Sequence, residues 1–317
     1  MPIPAAWENR LMVPAIAAPM FMVSVPDLVV ACCAAGVIGA FPALNRRDNE
    51  GYAAWLDAIA GRLARAEQET GRPAAPFAVN LSLRRGSSRL EEDLATTIGR
   101  RVPLVITSLG IARDVVDRVH DYGGILFHDV VGQRHAEKAA EAGVDGLILV
   151  KAGAGGHAGR LNPFAFVAQV RRWFDRTLIL AGGITDGHQI AAAQLMGADM
   201  VSIGTRFIAT TESAAPYAYK RMILGAKAED VAYTPAMTGV AASFLKPSLR
   251  AWGIDPEGPA SAVIDSASRA VRHQGREGKV WRDIWSAGQA VGAIDDIPDA
   301  AALCARLASD YHAAIGR

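Results

Sequence analysis

The sequence predicts an α/β fold, a closed (β/α)8 TIM barrel with a C-terminal helical insertion over the barrel mouth. Three observations predict it. Eight short apolar runs recur along the chain, each followed by a helical pattern. The runs are continuous rather than alternating (LILV, TLILAGG, MVSIG), as parallel strands covered on both faces require. No G-x-G-x-x-G follows the first run, which argues against an open doubly wound sheet.

The eight expected strands are residues 12–19, 37–43, 77–83, 103–108, 125–130, 146–151, 177–182 and 200–204. Helices are expected between them. One covers 26–35, after Ser24 and with Pro26 at its start. A second covers 50–69, with Trp55, Leu56, Ile59 and Leu63 on one face. A third, QRHAEKAAEA over 133–142, stops at Gly143. A fourth, 186–196, starts at Asp186 as N-cap and ends before Gly197. AEAGVDGLILV and QLMGADMVSIG repeat the same order: helix end, Gly, small apolar residue, Asp, strand. That order is one βα unit handing over to the next.

After residue 210 the pattern changes. Residues 213–295 are broken by Pro216, Pro235, Pro247, Pro256 and Pro259, and are too long for one barrel helix. They are read as a helical insertion, a lid that shapes the substrate pocket. Residues 1–212 and 296–317 then form the barrel, closed by a helix at about 297–315 with Pro298 in its first turn.

Composition narrows the function. Apolar residues make up 51% of the 317, enough for a sizeable core, and no low-complexity tract occurs. Lys plus Arg is 33 against 32 Asp plus Glu, which gives no electrostatic footprint for nucleic acid or an anionic membrane. The local cluster Arg84, Arg85, Arg89, Arg100 and Arg101 reads as solvated helix and loop surface. Three cysteines, Cys32, Cys33 and Cys304, are too few and too scattered for a disulfide framework and suit a reducing compartment. No run reaches the ~18 apolar residues of a membrane span, and the N-terminus lacks a signal-peptide pattern. The expectation is a soluble cytoplasmic protein.

Two glycine sites carry the strongest chemical signal. Ala181-Gly182-Gly183-Ile184 ends the seventh strand and Ile203-Gly204-Thr205-Arg206 the eighth. Barrels bind phosphate between these two loops, where glycine lets oxygen approach backbone N–H groups. Thr205 adds a hydroxyl. Tight turns alone are the competing reading. At the end of the sixth strand, KAGAGGHAG crowds four glycines, Gly156 among them, around His157. Such a loop presses backbone against a flat ligand and sets a histidine, suited to proton removal near neutral pH, at the catalytic face.

Other polar positions are candidates for ligand contact, each with a structural alternative. Asn80 sits near the end of the third strand, where a buried amide needs a partner. Ser108 ends the fourth strand and His128 the fifth. Lys151 either neutralises negative charge on a ligand or is a solvated strand-end lysine. Ala18, Pro19 and Met20 end the first strand and offer backbone groups to a ring edge. In IWSAGQ the small residues Ser286 and Gly288 allow close approach, with Trp281 and Trp285 as walls. Tyr217, Tyr219, Lys246 and Pro247 belong to the same insertion. No H-E-x-x-H or C-x-x-C pattern occurs, so no metal is expected.

GAGGHAG, LAGGITDG, VSIGTRFIAT and IWSAGQ, in this order, with APM at the first strand and VNL at the third, resemble the nitronate monooxygenase family, formerly called 2-nitropropane dioxygenases. The resemblance covers nearly the whole chain. It implies an FMN-dependent barrel in which His157 is the catalytic base. Gly182, Gly183, Gly204 and Thr205 would hold the phosphate, and Asn80 would contact the flavin. It further implies oxidation of alkyl nitronates or nitroalkanes with O2 to a carbonyl compound and nitrite. The partners would be that small molecule and O2, and a homodimer is open to it. The group also contains FMN-dependent NAD(P)H reductases of quinones and enoyl thioesters, the leading alternative. A barrel binding a phosphorylated sugar or nucleotide without flavin is a third. The chain departs from the family at Ala154, where many relatives are acidic, at Lys151, and at His128, where several carry lysine.

Overall fold

Eight parallel strands close on themselves in sequential order. They are β1 (Ala15–Ala17), β2 (Ile38–Pro42), β3 (Ala78–Ser82), β4 (Leu104–Ser108), β5 (Ile125–Val130), β6 (Gly146–Val150), β7 (Thr177–Ala181) and β8 (Met200–Ile203), with β8 pairing back to β1. The computed structural model describes residues 3–84, 86, 88–257, 263–265 and 270–316. All eight expected strands form, and the expected TIM barrel is the fold. Arg85 and Pro259 lie outside the described residues.

Helices α1 (Pro26–Ala34), α2 (Asn49–Thr70), α3 (Leu90–Gly99), α4 (Arg113–Asp121), α5 (Gln133–Ala142), α6 (Pro163–Arg171) and α7 (Gly187–Leu195) alternate with the strands. Their boundaries follow the sequence signals. Gly143 ends α5 at φ 96°, a conformation that favours glycine. Asp186 caps α7 in a reciprocal box with Gln189.

Strand register decides which side chains enter the barrel. Successive residues face opposite sides, and in-register neighbours share a side. Phe41 packs on Tyr52 and Trp55 of α2, so its side is the helix side. Val79, Val105 and Leu126 follow Phe41 around the ring. The opposite set, including Ile16, Ile38, Asn80, Ile106, Phe127, Ile148, Ile179 and Met200, fills the barrel. Trp7, in a short turn before β1, meets Phe127 edge-on at 5.7 Å and closes the barrel floor. Full burial of each such apolar side chain stabilises by about 1.5–3 kcal/mol.

After β8 come α8 (Thr205–Ile208), α9 (Tyr217–Gly225), the hairpin β9 (Val231–Thr234) and β10 (Ala242–Leu245), and α10 (Lys246–Arg250). An antiparallel sheet of β11 (Val263–Asp265), β12 (Ala270–His273) and β13 (Arg276–Lys279) follows, and α11 (Ala300–Ala314) ends the chain. The insertion expected to be helical is therefore mixed. Pro216 caps the start of α9 and Pro247 sits in the first turn of α10, while Gln274 (φ 48°) and Gly275 (φ 75°) turn β12 into β13 as a two-residue hairpin. Its core gathers Met237, Phe244, Leu249, Trp252, Val271 and Ile284. Pro298 lies before α11 rather than in its first turn, because Asp299 takes the cap and accepts from the Ala302 N–H at 2.7 Å. Among the described residues, no helix is long and apolar enough to cross a membrane.

The last helix seals the ring by packing on α1 and α7. At Gly187, the first residue of α7, a Cβ would lie 2.1 Å from the Tyr311 N and 2.3 Å from the Leu307 O of α11. Both obstacles are backbone and cannot rotate away. Gly187→Ala is expected to destabilise the fold by about 1–3 kcal/mol, as overpacking does. The check is the urea midpoint; an unchanged midpoint would show that the α7–α11 contact yields freely.

Candidate functional site

Three glycine-bearing loops and one returning segment meet at the C-terminal end of the barrel. The loop after β6 carries Gly153 (φ 98°) and Gly156 (φ 67°), and the loop after β7 carries Gly182 (φ 125°) and Gly183 (φ 77°). Backbone packs on backbone here. A Cβ on Gly182 would sit 2.8 Å from the Ala154 N, and one on Gly288 would sit 2.4 Å from the Gly153 O. Gln289 donates its N–H to the Gly153 carbonyl at 2.9 Å, and Gly288 donates to Thr205 Oγ1 at 2.8 Å. The Thr205 hydroxyl accepts there and keeps its own proton for another acceptor.

Ser286 fastens the same loop from the other side. Its Oγ accepts from the Gly156 N–H at 2.7 Å and donates to the Ser243 carbonyl at 2.6 Å. The Gly156 carbonyl in turn accepts from the Ser243 N–H at 2.9 Å. Tyr219 donates its hydroxyl to the Ser286 carbonyl and stacks on Trp285 with ring centroids 5.1 Å apart. The small residues Ser286 and Gly288 thus allow close approach, but of the β6 loop backbone. The insertion's hairpin and the IWSAGQ segment are stitched to the barrel at the loop that bears His157.

His157 is half-buried. Its Nε2 lies 3.2 Å from Thr238 Oγ1. Thr238 gives its hydroxyl proton to the Val240 carbonyl at 2.8 Å, so it accepts from Nε2–H. The His157 ring meets Trp281 edge-on at 5.3 Å, and Trp281 stacks on Phe244 at 4.9 Å. Trp281 holds φ 75°, uncommon for a bulky residue and of the kind found where a side chain is aimed. Thr238, Phe244 and the Ser243 carbonyl were not legible as site residues, because the stretch around them carries no motif.

Within the barrel, Asn80 is half-buried on the interior side. Its Nδ2 donates to the Ile106 carbonyl at 3.3 Å and to Ser108 Oγ at 3.4 Å. Register also turns Asp129 inward, beside Ile148. Asp129 was missed in the sequence because LFHDVV alone does not fix which side it faces; with Phe127 interior, alternation makes Asp129 interior too. Burial pushes its carboxyl up to about 7.

The same parity corrects two sequence-predicted contacts. His128 faces the helix layer, where its Nδ1 lies 2.8 Å from Thr107 Oγ1, and it is 4% exposed. Burial first, and then His135 of α5, lower its pKa to about 4. Lys151 continues the outward side of β6, with its ammonium 3.6 Å from the centre of the Phe166 ring of α6. Among the described residues it is buried without a hydrogen-bond partner, and burial lowers it to about 8. Neither reaches the barrel interior from these positions. At the first strand, Ala18 donates its N–H to the Ile203 carbonyl, and Met20 is held by Ser24 and Asn45. Ala18 and Met20 lie just under 4 Å from where a Gly204 Cβ would be, so Ala18-Pro19-Met20 edges the same mouth.

Two features suit a ligand carrying phosphate and a polar-edged ring. Among the described residues a Cβ on Gly183 would meet nothing within 4 Å, so backbone at the end of β7 fronts open space beside Gly204 and Thr205. Inward Asn80, Ser82, Ser108 and Asp129 form a polar arc on a largely apolar wall, with Ser202 also inward on β8. A cleft at the opposite end, by Arg10 and α2, lacks such an offer: Arg10 is already bonded to the Ala74 carbonyl and Glu67.

Comparison with known proteins gives the family. The family model described as nitronate monooxygenase matches residues 5–310. A nitronate monooxygenase of Paraburkholderia phytofirmans is 31% identical over 228 residues, 68% of this chain and 62% of that protein. The match thus spans about three-fifths of that relative's length. The nitroalkane oxidase of Streptomyces ansochromogenes superposes with TM-score 0.79 at 25% identity, covering 98% of this chain and 99% of that one. FabK from Thermotoga maritima superposes with TM-score 0.78 at 25% identity, covering 97% and 95%.

The environment of His128 generates a pH prediction. The unfolded residue binds a proton below about 6.5, whereas the folded one resists until about 4. Its contribution is therefore present above pH 6.5 and lost as pH falls towards 4, by roughly 3 kcal/mol at most. His128→Asn is expected to flatten the acid limb of the stability profile in that window. Parallel limbs for both proteins would contradict a buried neutral imidazole.

Proposed function

From its membership of the nitronate monooxygenase family, to which the chain belongs, we propose that it oxidises alkyl nitronates or nitroalkanes with O2 to a carbonyl compound and nitrite, using FMN. The observation that carries this reading is His157, fixed between the glycine loop after β6 and Thr238 of the insertion. The likeness to a nitroalkane oxidase over both whole chains supports it.

FMN, when bound, would supply electron transfer between substrate and O2. The chain's own residues supply the rest. Gly182, Gly183, Gly204 and the Thr205 hydroxyl would hold the phosphate, and Asn80 the ring edge, with Ala18, Pro19 and Met20 bordering it. Gly156, Ser286 and Gly288 act less directly, by setting the loop that carries His157. Thr238, 3.2 Å from Nε2, would orient the imidazole. His157 would take the proton α to the nitro group, and a preformed nitronate needs no such step. Trp281 and Phe244, brought in by residues 213–295, would wall the pocket and exclude water.

The likeness to FabK favours a second reading, an FMN-dependent NAD(P)H reductase of quinones or enoyl thioesters. An anaerobic titration of the flavin-loaded protein separates them. Bleaching of the flavin bands by ethylnitronate, with nitrite released once O2 is admitted, is the expected result; bleaching by NADH alone would establish the reductase. His157→Asn is expected to retain flavin and nitronate turnover while losing at least about 100-fold on neutral nitroalkanes, the usual weight of a general base. Unchanged turnover on neutral nitroalkanes would remove His157 from that role.

A further inference from the structure

Asp129 is an ionisable side chain that no step above uses. It lies near the C-terminal end of β5, turned into the barrel by the parity that turns Phe127 inward. The neighbouring strands offer it no compensating charge: β4 presents Ile106 and Ser108 on this side, and β6 presents Ile148 and Val150. Asn80, one strand further, is neutral. The nearby cations are on the wrong side of the wall. His128 points to Thr107 and the helix layer, and Lys151 lies over Phe166. The titratable side chain that the β6 loop adds at the mouth is His157, already bonded to Thr238. Among the described residues Asp129 forms no ion pair with any of these.

We infer that Asp129 is a wall residue of the flavin pocket whose carboxyl charge tunes the balance between oxidised and reduced flavin, an inference that rests on the flavin reading proposed above. Reduction adds negative charge to the isoalloxazine, and an ionised carboxyl in the same poorly solvated wall opposes it. A neutral carboxyl does not oppose it, and its O–H can donate a hydrogen bond instead. Asp129 is half-buried in this wall, and burial raises its carboxyl to about 7, so its charge changes near neutral pH. The coupling is reciprocal: reducing the flavin pushes Asp129 towards its protonated form by the same free energy.

The test is the midpoint potential of the flavin-loaded holoprotein from about pH 5 to pH 9, for wild type, Asp129→Asn, Asp129→Ser and Asp129→Glu. His157 is common to all four, so its titration cancels in the comparison. Both neutral variants are expected to favour reduced over oxidised flavin by roughly tenfold relative to wild type above about pH 8, the weight of one pKa unit of charge interaction. Below about pH 6, where Asp129 is protonated, the curves are expected to converge. Asp129→Glu is expected to follow wild type. Curves for wild type and the neutral variants that run parallel across the whole range would overturn the inference while leaving the flavin reading intact. Failure of the wild-type protein to bind flavin after reconstitution would overturn both.

Discussion

The site depends on backbone lying directly against backbone. Gly153, Gly182 and Gly288 approach one another so closely that a single Cβ at Gly182 or Gly288 would fall inside the contact distance of a main-chain atom. That contact brings the ends of β6 and β7 against a segment more than a hundred residues later in the chain. Ser286 then converts proximity into register, by accepting from Gly156 and donating to Ser243. Net hydrogen bonds contribute only about 0.5–1.5 kcal/mol each, so their value here lies in direction. They fix which way the loop leaves the barrel, and so where His157 stands. The insertion is thereby fastened to the β6 loop at the mouth.

Strand parity does a second job, sorting charge across the barrel wall. His128 and Lys151 both belong to strand ends that reach the mouth, yet both turn outward and are buried in the helix layer. Burial lowers the pKa of each, and Lys151 is compensated by the Phe166 ring face rather than by an anion. The inward side keeps Asn80, Ser82, Ser108, Asp129 and Ser202. A wall built this way presents hydrogen-bonding groups and one titrating carboxyl to whatever the barrel holds. That composition matches a ligand with a polar-edged ring better than one with a plain anionic surface.

Much of this was legible in the sequence. The strands announced themselves because parallel strands buried on both faces are apolar throughout, as LILV and MVSIG are. Gly143 and Asp186 marked helix ends through their backbone and capping chemistry. The glycine loops and His157 were legible because their residue types are unusual at strand ends. What failed has physical causes. A continuous apolar strand hides its parity, so His128 and Asp129 could not be sorted until the register was known. Lys151 looked like a mouth residue because charge suggests exposure, whereas its four-carbon stem lets the ammonium reach an aromatic face inside the protein. The β12–β13 hairpin was hidden because its short, charged strands are stabilised by pairing in the fold rather than by a local apolar pattern. Thr238 was silent because its importance comes entirely from contact with His157 across the fold.

The central claim is that the glycine-bearing ends of β7 and β8 form a seat for the phosphate of FMN. Calorimetric titration of the flavin-free protein with FMN, FAD and riboflavin tests it most directly. A terminal phosphate held by backbone N–H groups and the Thr205 hydroxyl predicts that FMN binds at least about 100-fold more tightly than riboflavin, the effect of a few charge-assisted hydrogen bonds. FAD, whose phosphate is substituted, should bind more weakly than FMN. Equal affinity for FMN and riboflavin would contradict the claim and leave those glycines as turns without a ligand.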